Sequence, residues 1–156
     1  MKKNKLILFL IILLNSCSTP MVLHLKKNRL LTNQSQILTM KYVEFHYTCY
    51  QKGSNFYVKG FAYPRREKLP PWGDTIDELW LGIYLCDKFG KVLAQDINIY
   101  SPQKINNKGL FFKFKLEPKD FGAPGPLYIT FGYRLKIIGS SKKQPKVFFA
   151  VEKAIE

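Results

Sequence analysis

Hydrophobic and polar positions alternate with a period of two from residue 37 to the end of the chain. Segments rich in Val, Ile, Phe and Tyr are separated by Gly, Pro, Asn and Lys, a pattern typical of half-buried strands joined by turns. Seven strands are predicted, at residues 40–50, 55–63, 78–86, 91–99, 109–117, 127–138 and 146–153. Because no segment predicts a long helix, we expect an all-β fold, a seven-stranded antiparallel β-sandwich.

The turns between these strands agree with that fold. Residues 87–91 read Asp-Lys-Phe-Gly-Lys and predict a hairpin loop in which Gly90 takes a positive φ. The connections 64–74 and 118–126 are rich in Pro and Gly, which are disfavoured in strand interiors. We expect the 118–126 connection to carry the chain from one sheet to the other.

The alternation also assigns a buried face to each strand. Burying one large apolar side chain contributes roughly 1.5–3 kcal/mol, so a stripe of such side chains determines the register of its strand. The predicted core consists of Val43, Phe45, Tyr47, Leu79, Leu81, Ile83, Leu85, Leu110, Phe112, Phe114, Leu116, Leu127, Ile129, Phe131, Tyr133, Leu135 and Ile137.

Aromatic side chains of the opposite parity face outward. If strands 55–63 and 78–86 are neighbours, these rings form a platform around Lys59 with a notch at Gly82, suited to stacking on sugar rings or gripping a partner. The rings concerned are Tyr57, Phe61, Tyr63, Trp80 and Tyr84. The alternative is a second small core, in which the 64–74 loop or the N-terminal segment covers them.

A second outward set is basic. Lys113 and Lys115 share the solvent parity of one strand, and Arg134 and Lys136 share that of another. If the two strands pair, the four cations form a positive patch for anionic glycans or lipids, beside Phe111 and Tyr128. The alternative is an ordinary solvated face.

The first residues follow a different pattern. Lys2, Lys3 and Lys5 precede an apolar run over residues 6–14, which leads into Asn15-Ser16-Cys17. A basic head, a short apolar stretch and a small residue at a cleavage point are typical of a secretory signal. The apolar run is too short for a bilayer core, which needs about 20 residues.

The segment Leu14-Asn15-Ser16-Cys17 resembles the lipobox of bacterial lipoproteins, which reads Leu, a small residue, Gly, Ala or Ser, and then Cys. Asn15 is larger and more polar than the usual residue there. The resemblance implies cleavage before Cys17, a diacylglyceryl group on its thiol and an acyl chain on its new amino group. Since Ser18 is not the Asp associated with inner-membrane retention, it also implies an outer-membrane location facing the periplasm.

These patterns divide the chain into a lipoprotein signal peptide (1–16), a lipidated tether (17–36) and the β-sandwich domain (37–156). Within the tether, a basic stretch at 26–29 lies between apolar residues at 21–23 and 30–31. This stretch is predicted either to lie against lipid headgroups or to form a first edge strand.

Residues 57–62 and 81–94 resemble the central hairpin of immunoglobulin-like modules in bacterial envelope proteins, of which the FxLYD-type domain is an example. Leu85 and Asp87 match the signature of that domain, whereas Ile83 and Cys86 stand where Phe and Tyr are usual. The resemblance implies an immunoglobulin-like or fibronectin type III-like sandwich. A fold of this kind carries little function by itself.

From Cys17 onward the chain carries 22 Lys and Arg and 11 Asp and Glu residues, a formal charge of +11. Export argues against nucleic acid as the partner. The remaining anionic partners are phospholipid headgroups, lipopolysaccharide phosphates, acidic glycans and acidic proteins. The alternative is that these lysines only solvate the surface.

Cys49 and Cys86 are the thiols that follow Cys17. An oxidising compartment favours a disulfide between them. Their parities argue against it, because Cys49 shares the core parity and Cys86 the outward parity of Trp80, whereas a disulfide needs converging Cβ directions. The sequence leaves both outcomes open.

Catalytic and metal-binding patterns are weak. His24 and His46 have no acidic residue or cysteine at metal-ligand spacing. Residues 101–104 fit the S-x-x-K pattern of penicillin-interacting enzymes, but they lie in a predicted loop without partner motifs. Asp74, Asp77 and Glu78 precede a strand and suit a charged strand entry better than a calcium site. We therefore expect no enzymatic activity, metal or cofactor.

The leading hypothesis is an envelope lipoprotein, anchored in a membrane through Cys17, that acts as a protein-interaction or assembly module. One alternative is a lipoprotein that binds carbohydrate or lipopolysaccharide through the Trp80 and Tyr84 surface. Another is a passive structural lipoprotein of the envelope.

Overall fold

Strand residues alternate between buried and exposed along most of the chain, and backbone pairing follows that alternation. The structure, a computed structural model, describes residues 20–119, 125–139 and 146–154. The predicted signal peptide and Cys17 lie outside the described residues. The strands are β1 (Asn28–Arg29), β2 (Ser35–Thr39), β3 (Val43–Lys52), β4 (Asn55–Pro64), β5 (Thr75–Cys86), β6 (Val92–Tyr100), β7 (Gln103–Lys104), β8 (Leu110–Leu116), β9 (Tyr128–Ile138) and β10 (Val147–Glu152).

Two antiparallel sheets pack as a sandwich, which confirms the predicted fold class. Sheet I contains β6, β5, β9 and β10 in that spatial order, with β1 beside the start of β9 and β7 beside the start of β5. Sheet II contains β2, β3, β4 and β8. The seven predicted strands are β3, β4, β5, β6, β8, β9 and β10, and their division between the sheets is immunoglobulin-like, with the fourth of them beside the third.

The core lies between the two sheets and is built around stacked aromatic rings. Phe45 of β3 stacks on Phe131 of β9 with ring centroids 4.1 Å apart, and Phe112 of β8 meets Phe131 edge-on at 5.4 Å. All the predicted core side chains are buried except Leu127, which is half-buried. Hydrophobic parity is therefore sufficient to identify the inner faces of β3, β5, β8 and β9.

The boundary predicted at residue 37 is corrected by the structure. From Pro20 onward, the segment predicted as a tether packs on the sandwich: the Val22 amide donates to the Gly90 carbonyl at 2.9 Å, and the Val92 amide donates to the Pro20 carbonyl at 3.1 Å. Val22 and Leu25 are buried in the core. Two buried apolar side chains thus hold the segment on the sandwich, and part of its basic stretch forms the edge strand β1.

The hairpin between β5 and β6 has the predicted turn. Gly90 has a φ of 82°, and Asp87 Oδ1 accepts hydrogen bonds from the amides of Phe89 at 2.8 Å and Lys91 at 3.0 Å. Residues 64–74 form a loop that holds a short 3-10 turn, Arg66–Lys68. Within the described ranges, no helix is long and apolar enough to cross a membrane.

Candidate binding faces

The predicted aromatic platform does not form, because its rings lie on opposite sides of the molecule. β4 pairs with β3 and β8, so Tyr57 and Phe61 belong to the outer face of sheet II. β5 pairs with β6 and β9, so Trp80 and Tyr84 belong to the outer face of sheet I. Parity predicted correctly that these side chains leave the core, but it carries no information about which strands are neighbours.

The predicted basic patch is wrong for the same reason. Lys113 and Lys115 lie on β8 in sheet II, whereas Arg134 and Lys136 lie on β9 in sheet I. The core separates the two pairs. Each face therefore has to be considered with its own charges.

Sheet I carries an apolar surface on its outer face, which we call the apolar band. Its side chains are 37% to 66% exposed, and they are Trp80, Ile97, Ile99, Val147, Phe149 and Val151. Cross-strand register makes the band continuous, because Trp80 lies opposite Ile99 on one side and opposite Arg134 on the other, and Arg134 lies opposite Val151.

The cations inside the apolar band are paired with carboxylates. Arg134 Nε lies 2.8 Å from Glu78 Oε1, and Lys136 Nζ lies 2.6 Å from Asp77 Oδ2. The first contact is an ion pair without hydrogen-bond geometry, since that buried oxygen has no hydrogen-bond partner. A bulge in the pairing of β5 with β9 falls at Asp77 and lets two consecutive acidic side chains reach these cations.

Aromatic rings of the band also contact these cations. The Arg134 guanidinium lies 5.5 Å from the centre of the Trp80 ring, and Lys136 Nζ lies 5.8 Å from the centre of the Phe149 ring. Both distances are within the range of cation–π attraction. The band is therefore close to neutral and presents hydrocarbon, aromatic rings and one stacked guanidinium to solvent.

A groove borders the band where β5 and β9 carry opposed glycines. Gly82 lies opposite Gly132, and the Tyr84 ring folds over both, so a Cβ atom on Gly132 would lie only 3.0 Å from Tyr84 Cε2. The groove has a volume of about 670 Å³ and is lined by Pro20, Gly82, Tyr84, Gln95, Asp96, Ile97, Lys153 and Ala154. The predicted notch at Gly82 is thus present, with Tyr84 as its wall.

The two outer edges nearest the candidate faces differ in protection. Three side chains of β6 cover the edge of β8 with hydrogen bonds to its backbone. Asp96 accepts from the Lys115 amide, Asn98 donates to the Lys113 carbonyl, and Tyr100 donates to the Phe111 carbonyl. Among the described residues, no strand pairs with the outer edge of β10, and its sequence from Val147 to Val151 contains no charge and no Pro. Such an edge is open to pairing with another strand.

The outer face of sheet II, which we call the sheet II face, combines two half-exposed rings with two lysines. Phe61 and Phe111 meet edge-to-face at 5.5 Å. Lys59 and Lys113 lie directly opposite each other in the next row, and neither makes an ion pair with a described residue. Like charges in this arrangement repel each other.

Other predicted residues on sheet II have local partners. Lys115 forms an ion pair with Glu117, and Tyr57 stacks on Tyr50 with ring centroids 5.1 Å apart. Lys59 and Lys113, for which the described residues provide no ion pair, are therefore two cations of this face that can meet an anion.

Of the two outcomes that the sequence leaves open, the structure has the free thiols, since Cys49 and Cys86 are both unbridged and buried. Cys86 was predicted to face outward, but the pairing of β5 with β6 shifts register between Leu85 and Cys86 and turns its side chain inward. Burial raises the pKa of each thiol to about 11, which keeps both protonated and unreactive near neutral pH.

The β10 edge is the feature that sequence reasoning missed. Both parities of this strand are apolar, with Val147, Phe149 and Val151 on one side and Phe148 and Ala150 on the other. Parity therefore cannot assign its outer face. The available signal is the lack of any charge or Pro that natural proteins use to protect an edge.

Among the described residues, no three His, Cys, Asp or Glu side chains lie close enough together to hold a metal ion. The two outer faces differ in chemical character. Sheet I has a neutral apolar surface with an open edge, and the sheet II face has two cations, unpaired among the described residues, beside two rings. Comparison with known proteins gives neither face a function, because no protein-family model, no curated protein and no solved structure matches this chain.

Proposed function

We propose that this protein is an envelope lipoprotein whose sandwich serves as a protein-interaction or assembly module. The observation that carries the proposal is the apolar band next to the open edge of β10. Exposed apolar surfaces that extend over several strands mark sites of interaction on soluble domains. Their chemistry decides which class of partner they suit.

A protein partner suits the apolar band better than a glycan does. Interface cores are enriched in aromatic residues and Arg and depleted in unpaired charge, and Trp80, Phe149 and the stacked Arg134 have that composition. An incoming strand would also gain main-chain hydrogen bonds along β10, while its side chains pack on the band. On these aliphatic side chains, the hydroxyl groups of a sugar would lose water without gaining hydrogen-bonding partners.

The membrane anchor of the proposal rests on the resemblance of residues 14–17 to a lipobox. With Cys17 acylated on both its thiol and its amino group, several chains would hold the protein stably on a membrane. Ser18 favours the outer membrane, facing the periplasm. Labelled fatty acid should be incorporated into the wild-type chain and into Ser18→Ala, and not into Cys17→Ala; label in Cys17→Ala would contradict the anchor.

Crosslinking tests the interaction proposal. A photoreactive residue at position 151 of the full chain should yield a discrete crosslinked protein in the envelope. Phe149→Lys should reduce that product at least tenfold, because it places a charge in the centre of the contact. The matched control is Phe111→Lys, since Phe111 and Phe149 are both 55% exposed and lie on opposite sheets.

Two results would count against this proposal. If Phe111→Lys removes the product as effectively as Phe149→Lys, the apolar band is not the contact. If no discrete product forms in the wild-type envelope, the passive structural lipoprotein becomes the better description.

A second candidate function, binding of lipopolysaccharide or another phosphorylated glycan, is favoured by one observation on the sheet II face. Lys59 and Lys113 oppose each other beside Phe61 and Phe111, so an anionic sugar would relieve their repulsion and stack on the rings. Titration calorimetry with purified lipopolysaccharide should give binding that weakens with salt and is lost in Lys59→Gln. Binding that is indifferent to both salt and Lys59 would exclude this site.

A further inference from the structure

We propose that one end of the sandwich lies against anionic phospholipid headgroups and thereby orients the domain. This end, which we call the tip surface, is formed by residues 21–27 and by the β5–β6 turn at residues 87–91. The inference rests on the proposed membrane anchoring and goes beyond it, because an acylated cysteine alone does not specify which surface meets the bilayer.

Hydrogen bonds make the tip surface a single built unit. The N-terminal segment runs antiparallel to the start of β6: Met21 pairs with Lys91, and the amide of Val22 donates to the carbonyl of Gly90. Lys27 Nζ donates to the Lys88 carbonyl at 2.9 Å. Because Asp87 also accepts hydrogen bonds from two amides of the turn, the backbone of the tip has a defined conformation.

Two apolar side chains project from this unit. Leu23 is 66% exposed and Phe89 is 64% exposed, although Val22 and Leu25 beside them are buried. A tight turn with a fully formed hydrogen-bond network does not need a Phe at its apex. Side chains of this kind are favourable at the boundary between headgroups and acyl chains, where apolar groups insert about 5–10 Å.

The charge around these side chains is complementary to an anionic surface. The ammonium group of Lys88 lies 4.8 Å from the centre of the Phe89 ring, Lys27 reaches the Lys88 carbonyl, and Lys91 follows Phe89 by two residues. The acidic residue of the turn, Asp87, uses one carboxylate oxygen to accept two backbone hydrogen bonds. Basic residues near a bilayer surface are attracted to anionic lipids within about a Debye length.

The position of the proposed anchor brings lipid to this end of the molecule. The Pro20 carbonyl accepts a hydrogen bond from the Val92 amide at the base of the turn. The three residues from Cys17 to Pro20 span at most about 10 Å when fully extended. The acyl chains on Cys17 would therefore enter the bilayer close to the tip surface.

The apolar band remains accessible in this orientation. Trp80 precedes Cys86 by six residues along β5, which places it about 20 Å from the turn. Phe149 lies one row further from the turn, because it pairs with Lys136 opposite Glu78. The tip can thus contact headgroups while the band faces the periplasm.

Quenching of an introduced tryptophan tests the tip surface. The acylated full chain is reconstituted into vesicles of phosphatidylglycerol and phosphatidylethanolamine with brominated acyl chains, and vesicle flotation verifies the anchoring. The emission that Phe89→Trp adds to that of the wild type should be quenched at least twofold. The emission added by the control Phe111→Trp, on the sheet II face, should be unchanged.

The lysines are tested in the same system. Lys88→Gln with Lys91→Gln should reduce the quenching of Trp at position 89, and vesicles of phosphatidylcholine should reduce it similarly. The control Lys108→Gln, near the start of β8 and therefore at the other end of the sandwich, should leave it unchanged.

The outcomes separate the two proposals. A chain that does not float with the vesicles contradicts the anchor, and the orientation falls with it. A chain that floats while position 89 stays unquenched overturns the tip surface and leaves the anchor standing. Quenching that is equal in anionic and neutral vesicles overturns the recognition of anionic headgroups.

Discussion

The hydroxyl group of Tyr47 lies in the core between the sheets, where the side-chain amide of Asn28 donates to it at 3.2 Å. Burial raises the pKa of this hydroxyl to about 12. Tyr133 is a second such case, because burial and a 2.6 Å hydrogen bond to Glu152 raise its pKa. These residues couple the stability of the fold to alkaline pH and offer no reactive group near neutrality.

The sign of that coupling gives a first prediction. In the unfolded chain Tyr47 ionises near its ordinary pKa of about 10, whereas in the folded chain it stays protonated to about 12. Its stabilising contribution is therefore complete below pH 10 and is lost as the pH rises toward 12, at about 1.4 kcal/mol per pH unit. Urea unfolding between pH 9 and 12 should show a shallower decline for Tyr47→Phe, and equal slopes in the two proteins would contradict the argument.

At the scale of elements, β6 is both an edge strand and the cover of another edge. Its side chains reach across the open side of the sandwich to the backbone of β8, so two edges that would otherwise be free protect each other. Asp96 is central to this arrangement, because its carboxylate accepts from the Lys115 amide at 3.0 Å and from the Ile97 amide at 2.8 Å.

Removing that carboxylate is the second prediction. Asp96→Ala leaves two edge amides without a protein partner and should lower the free energy of unfolding by about 1–2 kcal/mol. Hydrogen exchange should locate the effect, with protection lost at the Lys115 amide and retained in β9. Gln95→Ala is the matched control, since its exposed side chain contacts neither amide, and an equal loss in both variants would contradict the proposed cover.

Strands and their inner faces can be predicted from the sequence, but the pairing of strands cannot. The seven long strands follow from local alternation, and so do the inner faces of β3, β5, β8 and β9, because one buried stripe per strand is worth several kcal/mol. Which strands pair is a non-local property that alternation does not report. For that reason the predicted platform combines Tyr57 and Trp80, although the two side chains lie on opposite sheets. The buried Val22 and Leu25 were missed because the apolar residues at 21–25 do not alternate with polar ones and so show no strand period.

At the scale of the whole molecule, a short covalent connection joins the proposed anchor to a domain with polarised surfaces. Lysines and two apolar side chains lie at the end near Pro20, and Trp80 of the apolar band lies about 20 Å away. The stretch assigned from sequence to a long tether is instead part of the sandwich. With the proposed anchor at Cys17, the length of residues 17–19 would constrain the orientation of the domain on the membrane.

Lengthening that connection gives the third prediction. Ten Gly and Ser residues inserted between Thr19 and Pro20 allow a root-mean-square reach of about 17 Å, and the effective concentration of the tip surface at the bilayer falls accordingly. At low salt, the tip should still reach anionic headgroups, so Trp at position 89 remains quenched. At 0.5 M salt, screening weakens the lysine contacts, and quenching should be lost in the lengthened chain and only reduced in the original one. Loss of quenching in the lengthened chain at low salt would mean that the anchor alone holds the tip against the membrane. As a control, crosslinking through position 151 should be the same in both chains.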